Sequence, residues 1–180
     1  MDNLNSHSDV LLHLLKNRPH AVGAEIGVHT GTTTGVLLNG LKTIQKYYAI
    51  DPWKSYKQYD GSIYRKPGNK KIKTWGDAYQ EYLKTISPFD CVITIKSTSV
   101  EACKKVYDKE LDWVFIDANH EYEYIKENLK LWIPKVKKGG FVSGHDYGNK
   151  WSGIKKAVDE TVPTDTTLNI EDFYIWWFIK

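Results

Sequence analysis

Glu25-Ile-Gly27-Val-His-Thr-Gly31 joins a short apolar run to a helical pattern, and Asp51 closes the next apolar run 26 residues after Glu25. Glycines let the backbone of a turn approach a ligand closely, and a carboxylate ending the neighbouring strand can accept both hydroxyls of a ribose. The pairing points to a nucleoside-containing cofactor. Gly-x-x-x-Gly alone also suits a tight turn that packs a helix on a sheet, so the weight rests on the coupling of Gly27 and Gly31 to Glu25 and Asp51. A second feature is residues 54–73, where seven cations face one acid, Asp60, with Tyr56, Tyr59 and Tyr64 interleaved. Such a segment could track phosphates and stack bases, or close over a bound ligand.

The elements that must position these residues alternate. Ser8-Asp9 can cap a helix carrying Val10, Leu11, Leu14 and Leu15, which Pro19 stops. Residues 21–27 read as a strand, 32–41 as a helix, 47–50 as the second strand and 91–95 as the third. A helix over 100–107 precedes the fourth strand, 113–116, which has Asp117 at its end. Asn119 then caps a helix with the stripe Tyr122, Ile125, Leu129 and Trp132. Pro134 and Gly139-Gly140 end it, 141–143 resumes the sheet, and Ser152 caps a helix bearing Ile154, Ala157 and Val158. Strands apolar on both faces and separated by helices require a buried parallel sheet. The last two strands, 166–170 and 173–179, are joined by so short a turn that they must form an antiparallel hairpin.

Composition bounds the alternatives. A chain of 180 residues with 41% apolar and 26% charged residues is an ordinary folded domain, neither disordered nor fibrous. No apolar run approaches the roughly 18 residues of a membrane helix, and no secretory leader pattern opens the chain, so a cytoplasmic location is expected. Cys91 and Cys103 lack the Cys-x-x-Cys spacing of a zinc ribbon and read as buried apolar fillers. A net charge of +3 is too mild to demand nucleic acid or a membrane.

Four segments together resemble the class I S-adenosylmethionine-dependent methyltransferases, and among them the branch with small-molecule and sugar O-methyltransferases. These are Glu25-x-Gly27-x-x-x-Gly31; Ile50-Asp51-Pro52-Trp53; Phe115 through Tyr122; and Gly139-Gly140 leading to Gly144-His145-Asp146-Tyr147. The resemblance implies a Rossmann-like α/β fold: one domain over residues 1–180, a mostly parallel seven-stranded sheet with helices on both faces, and a closing hairpin. Residues 54–89 would be an insertion or lid after the second strand.

The resemblance also implies roles. Glu25 and Gly27 would border the methionine part of S-adenosylmethionine, Gly31 would let the following helix pack, and His29 would bring an imidazole to the loop in place of a glycine. Asp51 would bind the ribose, with Trp53 beside it. Thr98 and Ser99 would border the adenine, and Asp117 would face both cofactor and acceptor. Metal-dependent members hold a divalent cation with an acid at the Asp117 position and an acidic pair at the fourth motif; here Asp117 and Asp146 remain for Mg2+, with His145 replacing the first acid of the pair. Asn119 stands where some sugar-modifying relatives place a general-base Asp, so His120 and His145 become the base candidates, since imidazole titrates near neutrality. The expected activity is methyl transfer to an oxygen of a small molecule or sugar. Two rivals are a nucleic-acid-associated methyltransferase and a non-catalytic binding protein, each using the basic, Tyr-rich insertion.

Overall fold

Every residue of the strand Leu111–Ile116 is buried, a state open only to a strand covered on both faces. The computed structural model, which describes residues 4–57, 63–64 and 71–180, places this strand as β6 near the middle of a seven-stranded sheet. Its partners are β1 (Val22–Ile26), β2 (Lys46–Ile50), β5 (Val92–Ile95), β7 (Val136–Gly144), β8 (Asn169–Glu171) and β9 (Ile175–Ile179). The order is β5-β2-β1-β6-β7-β9-β8, and β3 (Tyr56–Lys57) pairs separately with β4 (Ile63–Tyr64). β5, β2, β1, β6 and β7 are parallel, whereas β9 runs antiparallel to both β7 and β8. This is the mostly parallel Rossmann-like sheet with the closing hairpin that the sequence implies.

Helices cover both faces. α1 (His7–Leu15), α2 (Thr32–Gly40) and α3 (Trp75–Ile86) bury Leu11, Leu37 and Tyr82 in one core with Trp113 and Phe115. α4 (Ser99–Ala102), α5 (Tyr122–Trp132) and α6 (Ser152–Thr161) bury Ala102, Leu129 and Val158 in the other core with Val114 and Val142. From β1 the chain winds outward to β2 and β5, then returns to β6 and β7 on the other side. The reversal opens a crevice above the carboxyl ends of β1 and β6. No helix among the described residues is long and apolar enough to cross a membrane.

Several local expectations need correcting. Ser6 caps α1, accepting the Asp9 N–H, because Ser8 is turned inward to bond Thr33. Asn119 does not cap α5, which starts three residues later at Tyr122; its Oδ1 instead accepts the Glu121 N–H at 2.7 Å. Ser152 is the first residue of α6, after Trp151 at the cap position. The helix expected over 100–107 shrinks to α4 and a 3-10 turn, Cys103–Lys105. Gly139 and Gly140 lie inside β7. Phe173 and Tyr174 belong to the 3-10 turn between the last strands, and the expected strand over 166–170 is reduced to β8. Cys103 is buried and Cys91 half-buried, both as free thiols.

α3 was not foreseen at all. It occupies part of the stretch 54–89, and Thr74 and Asp77 close a reciprocal capping box at its start. Ala78 and Tyr82, one turn apart, fix the helix to the core, and Tyr79 and Tyr82 both pack on the Trp53 ring at 4.8 Å. Much of the basic segment, including Tyr59, Asp60, Arg65, Lys66 and Lys70, lies outside the described residues. Thr74→Ala removes the hydroxyl half of the box, so urea unfolding should show a loss of about 1 kcal/mol.

Candidate active site

The site begins with a close backbone crossing. At the end of β1, Gly27 has φ +93°, and a Cβ there would lie 2.0 Å from the Asp117 carbonyl oxygen. Only glycine permits both the left-handed backbone and that approach. The Asp117 N–H donates to the Ile26 carbonyl, so the glycine loop and the end of β6 form one continuous backbone surface. Gly31, φ +77°, caps α2 against the Tyr82 ring, 3.1 Å from where its Cβ would lie. His29 also has positive φ, at 53°, which explains why glycine suits that position and shows that histidine is tolerated at some conformational cost.

Asp51 holds the loop from the adjacent strand. Its Oδ2 accepts the N–H groups of Val28 at 3.1 Å and His29 at 3.0 Å, and its Oδ1 accepts that of Trp53 at 2.6 Å. Burial raises the Asp51 pKa, and the three N–H bonds only partly offset it. Trp53, with φ 43°, donates Nε1–H to the His29 carbonyl at 2.7 Å. Its ring lies under the loop, so Trp53 braces the site without lining the cavity.

That cavity measures about 630 Å3 and runs from Glu25, Gly27 and His29 past Asp51 to Thr98, Ser99 and Asn128, and round to Asp117 and His120. Thr98 caps α4 by accepting the Glu101 N–H. Ser99 donates to Asn128 Oδ1 and accepts from Trp132 Nε1 at 2.8 Å. Glu25 is sealed beneath the loop, accepting hydroxyls from Thr34 and Tyr47 at 2.5 Å each. Burial pushes its pKa up to about 8 despite those bonds, with the charges of Asp117 and Asp51 adding to the rise.

Beside the cavity lies a group of imidazoles and carboxylates. His120 Nε2 meets Asp146 Oδ2 at 2.9 Å, and the His120 ring stacks on Trp151 with centroids 4.3 Å apart. His145 Nδ1 is 3.5 Å from Asp117 Oδ2 and 3.6 Å from Asp146 Oδ2. Burial opposes the charged form of His145, yet hydrogen bonding and charge from Asp117, together with Asp146, raise its pKa. Burial acts to raise Asp146, but the His120 bond and the His145 charge outweigh it and hold the carboxyl low. Asp146 adopts φ 62°, a costly backbone for a non-glycine residue.

Several residues of this neighbourhood went unforeseen, His7, Asn128 and Val100 among them. His7 stacks on His145 at 4.4 Å, bonds Thr33 at 3.1 Å and lines the cavity. Only the packing of α1 against α2 brings it there, so sequence spacing held no signal. Asn128 and Val100 border the region beside Ser99. For Asn128 a signal existed: it is a buried amide adjoining the apolar stripe of α5. Gly31, Trp53, His145 and Asp146 stand behind or beside the cavity rather than in its wall.

The donor atoms of Asp117, His120 and Asp146 lie within 4.8 Å of one another. Mg2+ favours near-octahedral oxygen ligation. Here one of the three donors is nitrogen, and each carboxylate already faces an imidazole. The donor set therefore does not suit Mg2+; two carboxylates and an imidazole belong with borderline transition ions.

A twisted, mostly parallel sheet with a glycine loop at the switch point and a reversed last strand defines a class I S-adenosylmethionine-dependent methyltransferase. The chain belongs to the methyltransferase domain family, whose model matches residues 24–147. No curated protein sequence matches it. Among solved structures, it is similar to the O-methyltransferase from Bacillus cereus in complex with S-adenosylhomocysteine (13% identity, TM-score 0.65, covering 96% of this chain and 80% of that one). CalS11, a TDP-rhamnose 3'-O-methyltransferase of calicheamicin biosynthesis, is 16% identical with TM-score 0.64, over 96% of this chain and 77% of its own. A protein described as an rRNA methylase, from Clostridium thermocellum, is 14% identical with TM-score 0.68, over 98% and 97%. At these identities the likeness is one of fold.

Glu25 gives a test that needs no acceptor. Burial lifts the Glu25 carboxyl to about 8, well above the usual carboxylate range, so the folded chain favours its protonated form through neutral pH. The associated stability is fully present below the unfolded pKa and is lost as pH rises through the folded one. Wild type should therefore lose more stability than Glu25→Gln between about pH 5 and about pH 9 in urea titrations. Parallel losses would show that Glu25 ionises normally.

Proposed function

We propose that this methyltransferase transfers the methyl group to a hydroxyl oxygen of a small molecule, a sugar or related polyol, with His120 as general base. The observation that carries the reading is the 2.9 Å contact of His120 Nε2 with Asp146, made by an imidazole in the cavity wall. Asp146 fixes one ring nitrogen and stabilises the imidazolium, leaving Nδ1 to take the acceptor's proton. His145 and Asp117 would form the second such pair, with His145 holding the Asp117 carboxylate in place. The activated sulfonium needs little beyond alignment and a deprotonated oxygen. In this reading the imidazole pairs, not Mg2+, prepare the acceptor, since the donor set is poor for that ion.

S-adenosylmethionine would lie with its methionine part over Gly27, its ribose at Asp51 and its adenine between α4 and Asn128. An ionised carboxylate offers about four lone-pair sites. Three at Asp51 are taken by backbone N–H groups. One remains for a ribose hydroxyl, rather than the two hydroxyls expected from sequence. The sugar-directed name of CalS11 supports the acceptor class. A nucleic-acid acceptor draws support from the rRNA-methylase fold match and from the cations of residues 54–73, but it lacks support from the net charge of +3.

Calorimetry with S-adenosylhomocysteine tests the cofactor site: Asp51→Ala should raise Kd roughly tenfold or more, the cost of losing a hydrogen bond to a charged group. Unchanged affinity would remove the ribose assignment. For the chemistry, His120→Ala should lower turnover by about 10²–10⁴-fold while cofactor affinity holds. Added Mg2+ should leave turnover unchanged, because the donor set does not suit that ion. Loss of activity with chelator and its return with Mg2+ would replace the imidazole base with a metal mechanism.

A further inference from the structure

The amino ends of β6 and β7, at the opposite edge of the sheet from the cavity, gather a charge that the catalytic account does not use. Residues 103–112, 133–140 and 180 hold seven lysines against three acids, a surplus of four. Residues 54–73 hold seven cations against one acid, a surplus of six, and that stretch begins at the cavity, which Lys54 and Tyr56 line. Set against a whole-chain charge of +3, those surpluses leave all other residues at −7. The mild total therefore conceals a separate basic region far from the cavity.

That region is one surface. The Lys109 N–H donates to the Pro134 carbonyl at 3.1 Å, Lys180 Nζ to the Val136 carbonyl at 2.7 Å, and the Gly139 N–H to the Lys180 carbonyl at 2.6 Å. These bonds knit together the turn before β6, the start of β7 and the end of β9. All three acids are spent within the fold: Asp108 pairs with Lys135 at 2.8 Å, Asp112 with Lys137 at 2.5 Å and Glu110 with Lys46 at 2.8 Å. Lys105, Lys109 and Lys138 are exposed and make no ion pair among the described residues. Burial and the positive charge of Lys109 hold the Lys180 ammonium below the usual lysine range. Like charges held together repel, and a bound anion relieves that repulsion.

Tyr107 stands among these lysines and is 82% exposed, more than any other large apolar side chain among the described residues. Its N–H donates to Glu110 Oε2 at 2.9 Å, and the same carboxylate meets Lys46 and the Tyr48 hydroxyl, so the turn that presents the ring is fixed. An open aromatic face between cations suits a strand whose unpaired bases stack while its phosphates meet the ammonium groups. A membrane surface would call for a broader apolar face than Tyr107 and Ile179 provide.

We propose that this face binds single-stranded nucleic acid, with backbone phosphates on Lys105, Lys109 and Lys138 and an unpaired base stacked on Tyr107. The strand is a partner and not the methyl acceptor, because it lies at the opposite end of β6 from Asp117 and His120. The inference is independent of which hydroxyl the enzyme methylates.

Fluorescence anisotropy tests it, using the full chain and short fluorescein-labelled strands of mixed sequence, RNA and DNA, each also presented as a duplex. At low salt a single strand of at least one type should bind with micromolar Kd, and log Kd should rise with log salt at a slope of about 2, as for three phosphate contacts. The duplex should bind several-fold more weakly, since its bases are not free to stack. Tyr107→Ala should weaken single-strand binding roughly tenfold. Lys105→Glu combined with Lys138→Glu should abolish it, and the corresponding pair of alanine substitutions should weaken it and flatten the salt slope. All variants should keep the wild-type melting temperature and Kd for S-adenosylhomocysteine, and saturating S-adenosylhomocysteine should not displace the strand. The proposal is overturned if no single strand binds at low salt, if the variants bind as wild type does, if the duplex binds equally well, or if S-adenosylhomocysteine competes. Binding to phosphatidylserine vesicles in preference to either strand would overturn it in favour of a membrane.

Discussion

The contact between Gly27 and the Asp117 carbonyl decides the rest of the site. It exists because two parallel strands end side by side and one of them turns through a left-handed residue with no side chain. The crossing fuses the glycine loop after β1 to a strand end on β6 that carries Asp117, Asn119 and His120. Any larger residue at position 27 would drive the loop off β6. Asp51 then stiffens the loop from the other side through two of its amides. The loop is gripped by both neighbouring strands, which is the preorganisation an in-line transfer needs.

Charge is managed locally around this crossing. Four carboxyl groups converge on the ends of β1, β2, β6 and β7, and none is left as a bare buried anion. Glu25 stays protonated to about pH 8, and Asp51 is met by backbone N–H groups. Asp117 and Asp146 each face an imidazole. His7, contributed by α1, closes the back of the pair by stacking on His145.

Features encoded over short spans were legible in the sequence. The glycine loop coupled to Asp51, the continuous apolar strand before Asp117 and the turn too short for a parallel crossover are all local patterns, and they suffice for the sheet and its crevice. Features that depend on competition or tertiary contact were not. Ser6 and Ser8 both qualify as caps, and only the Thr33 bond to Ser8 settles which one serves. α3 was missed although Thr74 and Asp77 mark its start and Ala78 and Tyr82 its buried face, because the basic stretch before it suggested a single long insertion. Residue type alone makes Asn119 a helix cap, but Glu121 holds the cap position of α5. The structure shows the amide oxygen accepting the Glu121 N–H in a tighter turn instead.

A crystal structure of the S-adenosylhomocysteine complex tests the central account most directly. The sulfur should lie over Gly27 with its open side toward Asp117 and His120, a ribose hydroxyl should meet Asp51 Oδ1, and the adenine should rest between α4 and Asn128. Cofactor bound elsewhere, or bound with its sulfur turned away from the His120 and Asp146 pair, would contradict it.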